Sequence, residues 1–371
     1  MAPFTRRQLL AAAPAVALAA RSSHAAPFEV LADYPQQLQT PISALDGLLT
    51  PTDAFFVRSH FGPPALELNR GLDVGGKVGT PLKLSVADLR KLPQTTVTAV
   101  LQCAGNGRAF FQPTIAGVQW QHGAMGQAEW TGVRLATLLE RATISPGAAH
   151  VHLFGADRAP KPQTPAFIRS IPLERALHPD TLVAWKMNGA PLTLEHGAPL
   201  RVVVPGWAGD HWLKWLVGIQ VATGEHDGFF VQKGYRIPPT PVAPGTRVPP
   251  EQMVPVTVLP VKSLITSPLE GARVNSRKVE VRGVAFSGAG AIAKVEVSVD
   301  GGASFQLARL EGTPGVGRWQ VFRLEVEARP GPMGALARAT DTTGTAQPTM
   351  TPWNPSGYFW NAVHRVEWSV G

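Results

Sequence analysis

One cysteine, Cys103, occurs among 371 residues, and that scarcity excludes more than any other feature. No internal disulfide can form. A Cys-rich zinc site, a Cys-bound iron–sulfur cluster and a c-type haem, which needs C-x-x-C-H, are all ruled out. Redox chemistry in such a chain uses an organic cofactor, or a metal held by at most one thiolate. Charged residues amount to only 16%, and they are scattered, with no basic run and no interleaved aromatic stripe. A nucleic-acid surface is therefore not indicated. Long apolar runs are missing too: the N-terminal one has about a dozen residues and contains Pro14, against the roughly 20 a membrane span requires. Lysine is scarce, 10 against 24 arginines. Arginine's planar fork suits two-pronged recognition of oxyanions, so acidic small-molecule ligands fit the composition.

What is present points to a folded, turn-rich protein. Hydrophobic residues at 44% are enough for a sizeable core, and the length suits two to three domains of roughly 150 residues. Together 37 Gly and 35 Pro favour short strands joined by loops over long helices.

The N-terminus reads Thr5-Arg6-Arg7-Gln8-Leu9-Leu10, then an Ala-rich run to Ala20, then Ser23-His24-Ala25. Twin arginines, a modest apolar region and a small-residue cleavage site predict a twin-arginine export signal over residues 1–26, with cleavage near Ala25 or Ala26. The alternative is a short amphipathic helix. Twin-arginine export carries proteins already folded, commonly because a cofactor is inserted first. The expected compartment is the periplasm. The formal charge of +8 falls to +5 once Arg6, Arg7 and Arg21 are removed with an acid-free leader.

Residues 27–255 mix strand and helix signals, predicting an α+β domain. Thr96–Gln102 is β-branched and apolar and ends at the Gly-rich turn Ala104-Gly105-Asn106-Gly107. Gly132–Ala142 carries Val133, Leu135, Leu138 and Leu139 at helical spacing. Val151–Phe154, Val183–Met187, Arg201–Val204 and Leu213–Val221 read as strands. Ile237–Pro260 holds eight prolines and predicts a stiff, extended connector. Beyond it, Val279–Phe286, Ile292–Val299, Phe305–Leu310, Trp319–Val326 and Leu336–Ala339 alternate with period two, and Asp300-Gly301 is a hairpin turn. That spacing predicts an immunoglobulin-type antiparallel β-sandwich over residues 256–371.

Two constellations could carry chemistry. Cys103 stands where a buried strand meets a Gly-rich turn, a place that presents a side chain to a cavity, and Arg108 would stabilise its thiolate. A buried free cysteine acting as a small hydrophobe is the alternative. The second constellation pairs arginine with histidine: Arg58 with His60, His196 with Arg201, His211 with Lys214, and His364 with Arg365. Singly, each reads as a surface cation or a core histidine. Together they suit a large anionic ligand bearing phosphate.

The motifs LQCAGNGR around Cys103, FFVRSH around Arg58 and GVQWQHGAMGQAEWTGVRL from Gly117 resemble the sulfite oxidase family, the molybdenum–pterin enzymes. So do MNGAPLTLEHGAPLRVVVPG, GWAGDHWLKWL, KGYRIP with LPVKSLITSP, and NPSGYFWNAVHRVEW. The resemblance runs from about Leu49 to Val370. It implies a molybdopterin-binding α+β domain followed by an immunoglobulin-like dimerisation domain. Cys103 would be the thiolate ligand to molybdenum, in keeping with soft sulfur on a soft metal centre. Arg58, Arg108 and Arg365 would line the anion pocket, with Trp120 as an apolar wall and Tyr235 as a hydrogen-bonding phenol. His60, Asp157, His196, Arg201 and Lys214, with Arg58, would grip the pterin and its phosphate.

The implied activity is sulfite oxidation to sulfate by oxo transfer, with two electrons leaving one at a time. The chain has no cytochrome b5 domain and no haem of its own, so the implied acceptor is a separate c-type cytochrome. That acceptor would act on a homodimer, or as a subunit of a heterodimer. A sulfane dehydrogenase acting on protein-bound sulfur is the alternative activity; a non-enzymatic binding module is the alternative class. Three departures from the animal enzymes stand out: Ser59 replaces Asn, Gly107 replaces an Arg, and Arg236 replaces a Lys.

Overall fold

The computed structural model describes residues 28–371, so the expected export signal lies outside the described residues. The chain is built mainly of short strands, which sort into two units. In the first, two five-stranded sheets contribute to one apolar core. One runs in the order Ala190–Pro191, Leu182–Met187, Met125–Arg134, Gln94–Gln102, with Arg201–Val203 pairing to Leu182–Met187. The other runs Leu82–Leu84, Leu72–Gly76, Leu216–Ala222, His150–Gly155, Ile168–Pro172, with one parallel pair between Leu72–Gly76 and Leu216–Ala222. A three-stranded sheet of Glu29–Ala32, Gln37–Gln39 and Val57–Arg58 stands beside them and brings Arg58 to the site.

Helices are few and short. Val86–Lys91 starts at a reciprocal cap in which the Ser85 hydroxyl accepts from the Asp88 amide while the Asp88 carboxylate accepts from the Ser85 amide. Leu135–Ala142 buries Leu135, Leu138, Leu139 and Ala142 on one face. The helix expected from Gly132 begins three residues later. Gly132 still pairs in the ladder opposite Ala184, where a side chain would strike the Val183 carbonyl at 2.1 Å. Likewise the strand expected from Leu213 begins at Leu216, because Trp215 has a positive φ of 53° and breaks the extended run.

The second unit is a β-sandwich. A sheet of Lys262–Ser267, Lys278–Phe286, Gln320–Glu327 and Arg309–Glu311 packs on one of Arg273–Val274, His364–Val370, Gly331–Asp341, Ile292–Ser298 and Gln306–Leu307. The single strand expected over Phe305–Leu310 is two pieces: Gln306–Leu307 pairs with one sheet and Arg309–Glu311 with the other. The proline-rich connector is not an extended spacer either. Its ends pair antiparallel, Arg236 with Pro255 and Ile237 with Val254, so it goes out and returns. Prolines limit its ladder to that short pairing, since each removes a donor.

Each unit has its own core, around Trp130 and Leu139 in the first and around Val281 and Phe322 in the second. A third apolar cluster joins them, drawing Leu45, Val100 and Met125 from one unit and Leu264, Phe286 and Trp319 from the other. Gln127 binds the Trp319 amide at 2.6 Å, and Asp46 pairs with Arg282 across the joint. From the sandwich, the chain between Gly331–Asp341 and His364–Val370 reaches back over the first unit. There the Phe359 amide donates to the Ala104 carbonyl and the Trp353 indole donates to the Pro113 carbonyl.

Candidate active site

The strand Gln94–Gln102 delivers Cys103 to the floor of two adjoining cavities. The Cys103 amide donates to the Ala124 carbonyl and the Asn106 amide returns to the Cys103 carbonyl at 3.0 Å, closing a tight turn. Asn106 is itself fixed by Gln102 and by the Ala124 amide. Cys103 packs against the first unit's core on one side and lines both cavities on the other. Burial pushes its pKa up, while Arg58 and Arg108 pull it back.

The inner cavity is lined by Arg58, His60, Cys103, Asp157, His196, Arg201, Lys214 and Tyr235, among others. The outer one shares Arg58, His60, Cys103 and Tyr235, and adds Arg108, Trp120, Lys233, Ser356 and Tyr358. Ten of the eleven residues expected at the site are thus brought to these two cavities.

Arg365 is not among them. In the strand His364–Val370 buried and exposed positions alternate, so His364 points inward and Arg365 outward. Arg365 is exposed and paired with Glu367 at 2.7 Å. What the sandwich does bring to the outer cavity is the stretch Pro355, Ser356 and Tyr358.

The cations of the site lack counter-ions. Among the described residues none of Arg58, Arg108, Arg201 and Lys214 forms a salt bridge; each binds carbonyls or a ring nitrogen. Arg108, only 8% exposed, donates to the Val118 and Ser356 carbonyls, and its Nε has no partner. Arg201 donates to the His196 and Trp212 carbonyls at 3.0 Å, again with an orphan Nε. Lys214 donates to the Glu195 carbonyl at 2.8 Å. Burial, then Arg201 and Arg58, lower its pKa to about 7. Asp157 and Glu195 offset Lys214 only in part, and Arg108 and Arg201, both buried, have no carboxylate partner, so an anion would compensate their charge.

The proton positions around His60 follow from its partners. Arg58 can only donate, so His60 Nδ1, 3.2 Å from the guanidinium, accepts. The ring proton then sits on Nε2 and is donated to the Tyr235 hydroxyl oxygen at 2.8 Å. Tyr235 is left with its own proton to offer to the cavity. His60 stays neutral: packing between Phe167 and Phe230 and the charge of Arg58 hold its pKa at about 2.

Several participants were not singled out from sequence. Arg169 pairs with Asp210 at 2.7 Å, both fully buried, and its guanidinium lies 5.1 Å over the Tyr235 ring. Forty-one positions separate the two; Arg169 lies in the strand Ile168–Pro172 and Asp210 in the turn Gly209–His211. Trp212, Trp215 and Phe167 line the inner cavity and Lys233 and Tyr358 the outer. Tyr358 belongs to the motif NPSGYFW, the one local signal that could have marked it.

A molybdenum–pterin group fits these residues. The orphan Arg201 Nε and the Lys214 ammonium, both at the inner cavity, are donors suited to a phosphate. Cys103 offers one thiolate at the junction of the cavities. Among the described residues no group of three His, Cys, Asp or Glu could hold a metal ion, so the remaining metal ligands come with the cofactor. Cys103 would bind the metal; Arg201, Lys214, His196 and Asp157 would hold the organic part.

Comparisons with known proteins agree. The family described as "Oxidoreductase molybdopterin binding domain" matches residues 61–230, and "Mo-co oxidoreductase dimerisation domain" matches 254–370. The mitochondrial sulfite oxidase of Mus musculus is 37% identical over 91% of this chain, which spans 64% of that protein. The sulfite oxidase of Arabidopsis thaliana is 34% identical, covering 92% of this chain and 94% of its own. The solved structure of the sulfane dehydrogenase SoxCD from Paracoccus pantotrophus is similar over 90% of this chain and 84% of that one, with a TM-score of 0.79 and 30% identity. With that likeness and a cavity of unpaired cations meeting at a single cysteine, the chain belongs to the sulfite oxidase family of molybdenum–pterin oxidoreductases.

Proposed function

We propose that this protein is a sulfite dehydrogenase, and that it takes electrons from sulfite and passes them to a c-type cytochrome. The observation that carries this reading is that Arg58 and Arg108 line one cavity with Cys103, neither paired with a carboxylate. Two such cations suit a doubly charged anion, each charge-assisted hydrogen bond contributing about 1.5–3 kcal/mol. Sulfite and water give sulfate, two protons and two electrons; two cytochrome molecules accept one electron each. The bound cofactor supplies the oxygen-transfer and two-electron chemistry. The chain holds the anion with Arg58 and Arg108, backs it with Trp120, and points the Tyr235 hydroxyl proton at it.

The proposed setting is the periplasm, reached through the twin-arginine leader of residues 1–26. The catalytic unit would span 27–255. The sandwich, 256–371, would serve dimerisation. Sulfane oxidation is the second reading, favoured by the similarity to SoxCD and by the absence of Arg365 from the pocket.

The deciding experiment is sulfite-dependent reduction of cytochrome c by the purified, exported protein, with molybdenum measured on the same sample. Turnover with about one molybdenum per chain supports the sulfite reading. Molybdenum with no turnover on sulfite, but activity on a protein-bound sulfane, transfers the assignment to the second.

A further inference from the structure

Tyr235 sits on strained backbone, at a φ of 52°, and Phe359, beside Tyr358, at 62°. Bulky side chains tolerate that region only where their surroundings fix them, and such positions cluster at functional sites. Here the fixing group is a stack that crosses from one unit to the other. Asp210 holds Arg169, and the Arg169 guanidinium covers one face of Tyr235 at 5.1 Å. The Tyr358 ring lies parallel to Tyr235, 5.6 Å away with an interplanar angle of 5°. The Arg108 guanidinium then lies 5.1 Å over Tyr358.

Arg108 is confined from its other sides by glycines. A Cβ on Gly105, Gly117 or Gly357 would come within 2.7 to 2.9 Å of its guanidinium nitrogens. Gly357 and Tyr358 come from the sandwich's returning loop, clamped by Asn354, whose side chain bonds the Tyr358 amide and carbonyl. Ser356 of the same loop accepts from Arg108 through its carbonyl and donates to the Arg236 carbonyl through its hydroxyl.

We propose that Tyr358, supplied by the second unit, is a positioning residue for the anion pocket. Its ring spaces the Tyr235 phenol and the Arg108 guanidinium so that both bear on one anion. This rests on the sulfite reading for the identity of that anion, but not for the geometry. The aromatic face does the work: among the described residues the Tyr358 hydroxyl forms no hydrogen bond, so phenylalanine should replace it.

The test uses the cofactor-loaded protein with Tyr358→Ala and Tyr358→Phe. Sulfate binding is measured by calorimetry, sulfite KM and kcat by cytochrome c reduction, and Arg108 accessibility by phenylglyoxal labelling with peptide mass spectrometry. Tyr358→Ala should weaken sulfate binding and raise KM about tenfold with a smaller change in kcat, and Arg108 should become reactive. Tyr358→Phe should stay within about twofold of the parent on all three. Parent-like sulfate affinity and Arg108 protection in a folded Tyr358→Ala variant would overturn the proposal. So would equal losses in the Ala and Phe variants, which would move the role to the hydroxyl. A parent protein that neither binds sulfate nor oxidises sulfite sinks the sulfite reading instead; Arg108 labelling then decides on Tyr358 by itself.

Discussion

Cys103 and the cations around it make separable predictions. Cys103→Ser keeps the turn, whose hydrogen bonds use backbone and Asn106, but replaces a soft ligand by a hard one. Turnover should fall at least about a hundredfold with thermal stability unchanged; parent-like turnover in a folded sample would remove the ligand assignment. Arg108→Met takes away a charge-assisted contact to the anion, and sulfite KM should rise roughly ten- to a hundredfold. Arg365→Met should change KM less than about twofold, because an exposed pair such as Arg365–Glu367 contributes little and lies outside the pocket. Steady-state kinetics on the two arginine variants side by side distinguishes a cation of the pocket from one of the surface.

At the scale of elements, the Gly-rich turn after Gln94–Gln102 ties site to joint. Gly107 has a φ of 90°, and a Cβ there would lie 2.4 Å from that of Trp360. Gly107→Ala should therefore cost about 2–5 kcal/mol, from backbone strain plus overpacking, read as a lowered urea midpoint.

The elements also mark the limits of the sequence. The strand ending at Cys103 and its turn were legible because β-branched residues and glycines sit side by side. The helix start was misjudged at Gly132, since helical spacing of leucines extends one turn into a strand whose end the sheet decides. Arg365 was placed wrongly although the alternation of His364, Val366 and Trp368 was there to be read; motif resemblance outweighed a period-two signal. The Arg169–Asp210 pair has no local signal, because a turn is brought against a strand forty-one positions away.

For the whole molecule, the shared cluster around Trp319 and Phe286 makes the two units one cooperative body, and buried histidines govern its response to acid. His196 and His364 are held near pKa 4 and His211 well below the usual value, mainly by burial. Each stays neutral when folded and takes up a proton near pH 6.5 when unfolded. The folded pKa is the lower one, so the stabilisation is complete above pH 6.5 and is lost as pH falls toward 4. Burial raises Asp157 to about 6 and Asp210 to about 7, which opposes this, so the unfolding free energy between pH 7 and 4 should drop by less than the roughly 1.4 kcal/mol per pH unit that each histidine alone would give. A midpoint flat across that range would contradict the buried, neutral assignment.

The returning loop between Gly331–Asp341 and His364–Val370 has a consequence for how the protein is made. The carbonyl of Ser356 and the ring of Tyr358 complete a pocket begun by Arg58, some three hundred positions earlier. The loop is anchored by His364–Val370, which is made well after the strand that carries Cys103. Until then the outer cavity lacks the side that the loop covers. A chain stalled before residue 353 would keep the cysteine and both arginines yet have no closed seat for an anion. The anion pocket thus needs the second unit as well as the first.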